Sequence, residues 1–170
     1  NNIKMKPTSY IELKKYFENL VENSNFLNSF VGYFSRELHN KQTSYDGIKA
    51  PFLCLFGYGI ELEHNDYSSQ AVRNINFGIL FNNIPAGNYE EQYQAIDDAE
   101  RLAFRVIARV RMDNNNEGHF LYRTFINNSL EVTPIELDGD GLFGVEVSFK
   151  LSNVQSLKVS PDDWKDIEKV

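Results

Sequence analysis

The sequence predicts an α+β fold: a single domain with a mainly antiparallel sheet, an N-terminal helix, and one long amphipathic helix packed on that sheet. Three observations lead there. Residues 89–112 carry an apolar stripe at helical spacing with no Gly or Pro to interrupt it. Short apolar segments of strand type precede and follow that stripe. The chain lacks both a G-x-G-x-x-G at a strand-to-helix junction and the repeating βα pattern of a doubly wound parallel sheet.

The 170 residues fit one domain and suffice to bury a hydrophobic core. An aromatic content of 14% excludes disorder over most of the length. The net charge of −7 argues against a broad surface that neutralises phosphates. Cys54, the only cysteine, sits in the apolar run 51–56 and reads as a buried, inert thiol with no disulfide partner. No apolar run has the length of a membrane span and no signal-peptide pattern opens the sequence, so folding in a cytoplasm without membrane association is expected.

Residues 1–6 are polar and read as frayed. Pro7-Thr8-Ser9 opens the first helix, with Ser9 and Glu12 at capping-box spacing. Leu13, Tyr16, Phe17, Leu20 and Val21 form its apolar side, and Asn23-Ser24-Asn25 ends it. Residues 26–38 fit two periods. Phe26, Phe30 and Phe34 suit alternation, whereas Leu27, Val31 and Leu38 suit a helix; aromatic density and Gly32 favour a strand. Residues 40–49 read as a polar loop with a turn at Tyr45-Asp46-Gly47.

The nearly continuous apolar run 51–63 reads as a strand opened by Pro51, where no ladder donor is needed. Its apolar residues face both ways, which fits a central strand covered within one chain or a surface covered by neighbouring copies. After a polar loop at 64–70, Val72, Ile75, Phe77, Ile79 and Phe81 mark the next strand, and Pro85 and Gly87 turn the chain. In the long helix, Ile96, Ala99, Ala103, Val106, Ile107 and Val110 line one face. Glu90, Glu91, Asp97 and Asp98 come early and the arginines late, in keeping with the helix dipole. Residues 113–118 form a polar break. Phe120, Tyr122 and Phe125 then begin a strand, and Leu130, Val132 and Ile135 a second short one. Beyond a turn at Asp138-Gly139-Asp140-Gly141, Phe143, Val145, Val147, Phe149 and Leu151 alternate with Gly144, Glu146, Ser148 and Lys150. The domain is thus expected over 1–151, with a polar tail at 152–170. In that tail Pro161-Asp162-Asp163-Trp164 either caps a last helical turn or packs on a neighbour.

Motifs of chemistry are sparse. His39, His64 and His119 are scattered, with no H-E-x-x-H spacing. Asp113-Asn114-Asn115-Asn116-Glu117-Gly118 resembles the opening of a calcium loop. However, Glu117 stands where Asp or Asn is wanted, and Thr124 stands where the bidentate carboxylate belongs. Asp138 and Asp140 suit a hairpin turn, and neither a G-x-S-x-G elbow nor a Walker loop occurs. A non-enzymatic role with no metal and no cofactor is expected. Candidate partner contacts lie on loops and on the long helix. Asp66 belongs to one polar loop, and Asn114, Asn115 and Asn116 to another. Arg101, Arg105 and Arg109 pair either across subunits or with acidic residues of the same chain.

The order of hydrophobic blocks resembles the tail-terminator and tail-completion proteins of long-tailed bacteriophages, which join head to tail. It also resembles small uncharacterised phage-like proteins of Bacteroidetes-type genomes. The letters that carry the resemblance are Ile48-Lys49-Ala50-Pro51-Phe52-Leu53-Cys54-Leu55, Ile75-Asn76-Phe77-Gly78-Ile79-Leu80, Ala95-Ile96-Asp97-Asp98-Ala99-Glu100 leading into Ile107-Ala108-Arg109-Val110-Arg111-Met112-Asp113, and Gly144-Val145-Glu146-Val147-Ser148-Phe149-Lys150-Leu151. It spans roughly Ile11 to Leu151 and includes no catalytic signature. The resemblance implies a homo-hexameric ring that caps the tail tube and presents a docking face to the head connector. The sheet would contribute to the ring and the helices would pack outside it. Its partners would be further copies of the chain, the tail-tube protein and the head–tail connector, with DNA only passing through the lumen. Its place would be the virion tail, assembled in the bacterial host cytoplasm. A protein- or peptide-binding adaptor domain unrelated to phage tails is the alternative.

Overall fold

The computed structural model describes residues 8–32, 35–44, 47–64, 69–137 and 141–168. Helix α1 (Tyr10–Glu22) begins where Ser9 accepts the Glu12 amide at 3.3 Å, and it ends on Asn23. Five strands follow: β1 (Ser29–Val31), β2 (Phe52–His64), β3 (Ser69–Phe81), β4 (Glu131–Leu137) and β5 (Leu142–Val154). They form one sheet in the order β1-β2-β3-β5-β4. Only the β1–β2 pairing is parallel, so the fold is α+β around a mainly antiparallel sheet, as expected.

The register assigns the faces. Leu53 and Leu55 of β2, Ile75, Phe77 and Ile79 of β3, and Val145, Val147 and Phe149 of β5 share one face. Helices α1 and α3 (Tyr89–Asn114) bury their apolar stripes against it. Phe17 of α1 lies fully buried, with its ring 5.3 Å from that of Phe77 and 6.5 Å from that of Phe149. Ala99 and Ala103 are fully buried in α3, where small side chains let the helix backbone approach the sheet. On the opposite face, Phe52, Cys54, Leu80 and Leu142 gather beneath Leu38 of α2 (Ser35–Thr43) and Ile48. The two-sided apolar stretch at 52–55 is therefore covered within one chain. A bulge at Phe56 follows, and its ring lies where a Cβ on Gly78 would stand.

Four expectations need correction. The strand expected across residues 26–38 is only the three-residue β1, and residues 40–49 are not all loop, because α2 begins at Ser35 and continues to Thr43. This helix is held by contacts that hydrophobic periodicity does not register: Lys41 bonds Glu37 one turn away and donates to the Phe30 carbonyl. Residue 113 does not begin a polar break, since α3 runs to Asn114 and Asp113 is buried. Phe120, Tyr122 and Phe125 do not open a strand; they lie in successive turns, and only Phe125 bridges Leu151. Arg123 at φ 55 interrupts any extended path there. Their aromatic spacing instead serves separate contacts. Phe120 packs against Tyr16 and His119, and Phe125 stacks on Phe149 at 5.3 Å. Strand β5 ends at Val154, three residues beyond the alternating stretch read from the sequence. The expected turns at 45–46 and 138–140, the frayed residues 1–6 and the tip of the 64–70 loop lie outside the described residues.

Candidate functional site

The long helix carries the three arginines one turn apart. Arg101 bonds Asp97 at 3.0 Å, and Arg109 donates through Nε to Asp113 at 3.1 Å. Both pairs lie within one helix at the i, i+4 spacing. Arg105 differs: its guanidinium sits 5.4 Å over the Phe26 ring, and among the described residues no carboxylate pairs with it.

The asparagines divide by role. Asn114 Oδ1 accepts the amides of Thr124 and Phe125, each at 3.0 Å, so this side chain braces the turns that follow α3. Asn115 caps the helix, and Asn116 accepts the Gly118 amide at 3.1 Å. Asn115 and Asn116 are exposed, whereas Asn114 is half-buried. Asp66 lies outside the described residues. The structure thus brings Arg109, Asn114 and Asn115 to one end of α3, with Arg101 three turns away from that end.

At that end sits a buried polar cluster with no motif in the sequence. The Tyr16 hydroxyl donates to Asp113 Oδ2 at 2.8 Å across a separation of 97 residues. Burial, reinforced by the bond to Asp113, pushes the Tyr16 hydroxyl far above its ordinary value and keeps it a donor. His119 stands edge-on to Tyr16 at 5.4 Å and accepts the Leu121 amide through Nδ1, which places its proton on Nε2. Burial lowers the His119 pKa, with Asp113 opposing and Arg109 assisting. All four side chains have partners, so this is a latch joining α1 to α3. Cys54 is likewise spoken for: burial pushes its thiol up to about 12, which leaves no nucleophilic thiolate at neutral pH. Among the described residues no group of three His, Cys, Asp or Glu side chains could hold a metal, and no helix is long and apolar enough to cross a membrane.

A further surface is the sheet face opposite α1 and α3. Beyond the patch under α2, the pairing aligns Glu61, Glu63, Asn74, Asn76, Glu131, Glu146, Ser148 and Lys150 on one open face. Four carboxylates oppose one ammonium. Asn74 donates to Glu61 at 3.1 Å, Asn76 to Glu146 at 3.1 Å, and Lys150 lies 4.0 Å from Glu61. No protein-family model matches the chain, and no curated protein matches it.

Proposed function

We propose that this chain is a non-enzymatic structural protein of a phage or phage-like tail, capping the tail tube as a ring and offering a docking surface to the head connector. One observation carries the reading: α1 and α3 cover one face of the sheet with their apolar stripes, while much of the other face is polar and acidic. In a ring with its helices outward, that face would line the lumen. Carboxylates there would repel DNA phosphates and let duplex pass without adhering. Light scattering over a wide concentration range tests this. A six-fold mass is expected, either for the protein alone or once tube protein is added. A monomer that persists in both conditions overturns it.

A second reading, a peptide-binding adaptor, is favoured by the outer edge of β4. That edge pairs with no other described strand, and Tyr89 and Tyr93, each 64% exposed, flank it across a shallow cleft with Pro134 and Glu136. An extended peptide could add there as a sixth strand. Slowed amide exchange at 131–137 upon peptide binding, in a protein that stays monomeric, would select this reading.

A further inference from the structure

Residues 156–168 are exposed throughout. They follow β5 as irregular chain with one short turn, at Pro161–Asp163, and they expose Leu157, Val159, Trp164 and Ile167. Trp164 is 56% exposed, an amphipathic ring with large contact area and little entropy to lose on docking. In sequence Asp162, Asp163, Asp166 and Glu168 flank it, against Lys158 and Lys165.

A complementary cavity lies elsewhere on the same molecule. Between the end of α1 and the second half of α3 is a hollow of about 350 Å³, within the size range of pockets that take compact organic groups. Leu20, Leu27 and Val106 supply apolar walls, and Phe26 stands beside them beneath the Arg105 guanidinium. Arg109 completes the rim and engages Asp113 through Nε, and among the described residues its terminal nitrogens make no hydrogen bond.

We propose that the tail of one copy docks in this cavity on a second copy. Trp164 would enter beside Phe26, and Asp163 and Asp166 would meet Arg105 and Arg109. Charge complementarity selects the occupant: an acidic segment with one large aromatic ring faces an apolar hollow with a doubly basic rim. Among the described residues no tail residue lines the cavity, and residues 156–168 are exposed to solvent. Each copy brings one tail and one cavity, a head-to-tail relation that closes into a ring if the rotation permits. The inference rests on the self-assembly part of the proposed function and is independent of whether a tail tube is the partner.

Trp164 is the only tryptophan, so its emission reports its surroundings directly. With the full chain, mass by sedimentation and emission maximum should change together as concentration rises, with emission moving to the blue. Trp164→Ala and Arg105→Glu should each weaken association by roughly tenfold or more. Arg105→Glu alone should keep a red emission at every concentration. Mixing the two variants should restore association, because one retains an intact cavity and the other an intact tail. In that mixture the only indole belongs to the Arg105→Glu copy, and its emission should shift. Mass growth without a spectral shift, or failure of the mixture to associate, overturns the docking while leaving the ring reading intact. A blue emission in the monomer at the lowest concentration places the tail in its own cavity and also overturns it. A red-emitting monomer throughout sinks both the docking and the ring.

Discussion

Asp113 shows how one side chain can gather distant parts of the chain. It is 4% exposed, and Tyr16 and Arg109 make its burial tolerable by donating to the carboxylate. Tyr16→Phe keeps the ring packing and removes one donor to a charged acceptor, which should cost about 1.5–3 kcal/mol. The check is a lower denaturant midpoint at unchanged m-value. His119 gives the same latch a pH dependence whose sign follows from its lowered pKa. Below the ordinary value of 6.5 the unfolded chain takes up a proton that the folded imidazole resists. Its contribution is therefore complete above that pH and is lost as pH falls through the folded value. Thermal melts from about pH 7.5 to about pH 5.5 should show wild type losing more stability than His119→Gln.

At the scale of elements, α3 is a 26-residue helix whose placement depends on small side chains as much as on large ones. Ala103 is fully exposed to the core and not at all to water. Ala103→Leu forces several extra carbons between helix and sheet, an overpacking expected to cost about 1–3 kcal/mol. Urea titration of the variant against wild type checks it. Gly144 is tighter still. A Cβ there would meet the Ile79 carbonyl oxygen, part of the backbone of a central strand, so Gly144→Ala should be among the most damaging single substitutions in β5. The elements that were legible in the sequence, α1, β2, β3, α3 and β5, are long; the helices bury one stripe each, and the central strands also bury Leu80 and Leu142 on the second face. The helix α2 was not legible, because its stabilising partners lie on Phe30 and within its own polar face. Residues 120–125 misled for the opposite reason: Phe120 and Tyr122 stand two apart as in a strand, yet Phe120 and Phe125 answer to different neighbours, and Asn114 pins the turn at Thr124 and Phe125. Of the candidate interface, the pairings of Arg101 and Arg109 could be read from four-residue spacing. The stacking of Arg105 on Phe26 and the bracing role of Asn114 are tertiary and have no local signature.

At the scale of the whole molecule, charge is arranged more than it is merely accumulated. The first half of α3 is acidic and the second half basic, while the open sheet face sets Glu61, Glu63, Glu131 and Glu146 against Lys150. If that face exists to keep a passing polyanion from adhering, its carboxylates are its working parts and the fold beneath should be indifferent to them. Glu61, Glu63 and Glu131 are all exposed, and the Glu61–Lys150 approach at 4.0 Å is a surface pair of little energetic weight. Converting the three to lysine should change stability by no more than about 0.5 kcal/mol per site. The same change reverses the sign of the face. Wild type should fail to retain duplex DNA even at low ionic strength. The triple variant should bind it without sequence preference and release it steeply as salt rises, as phosphate neutralisation by added cations requires. Retention of DNA by the wild-type protein would mean that the acidic face does not govern the encounter, and the lumen assignment would lose its physical basis.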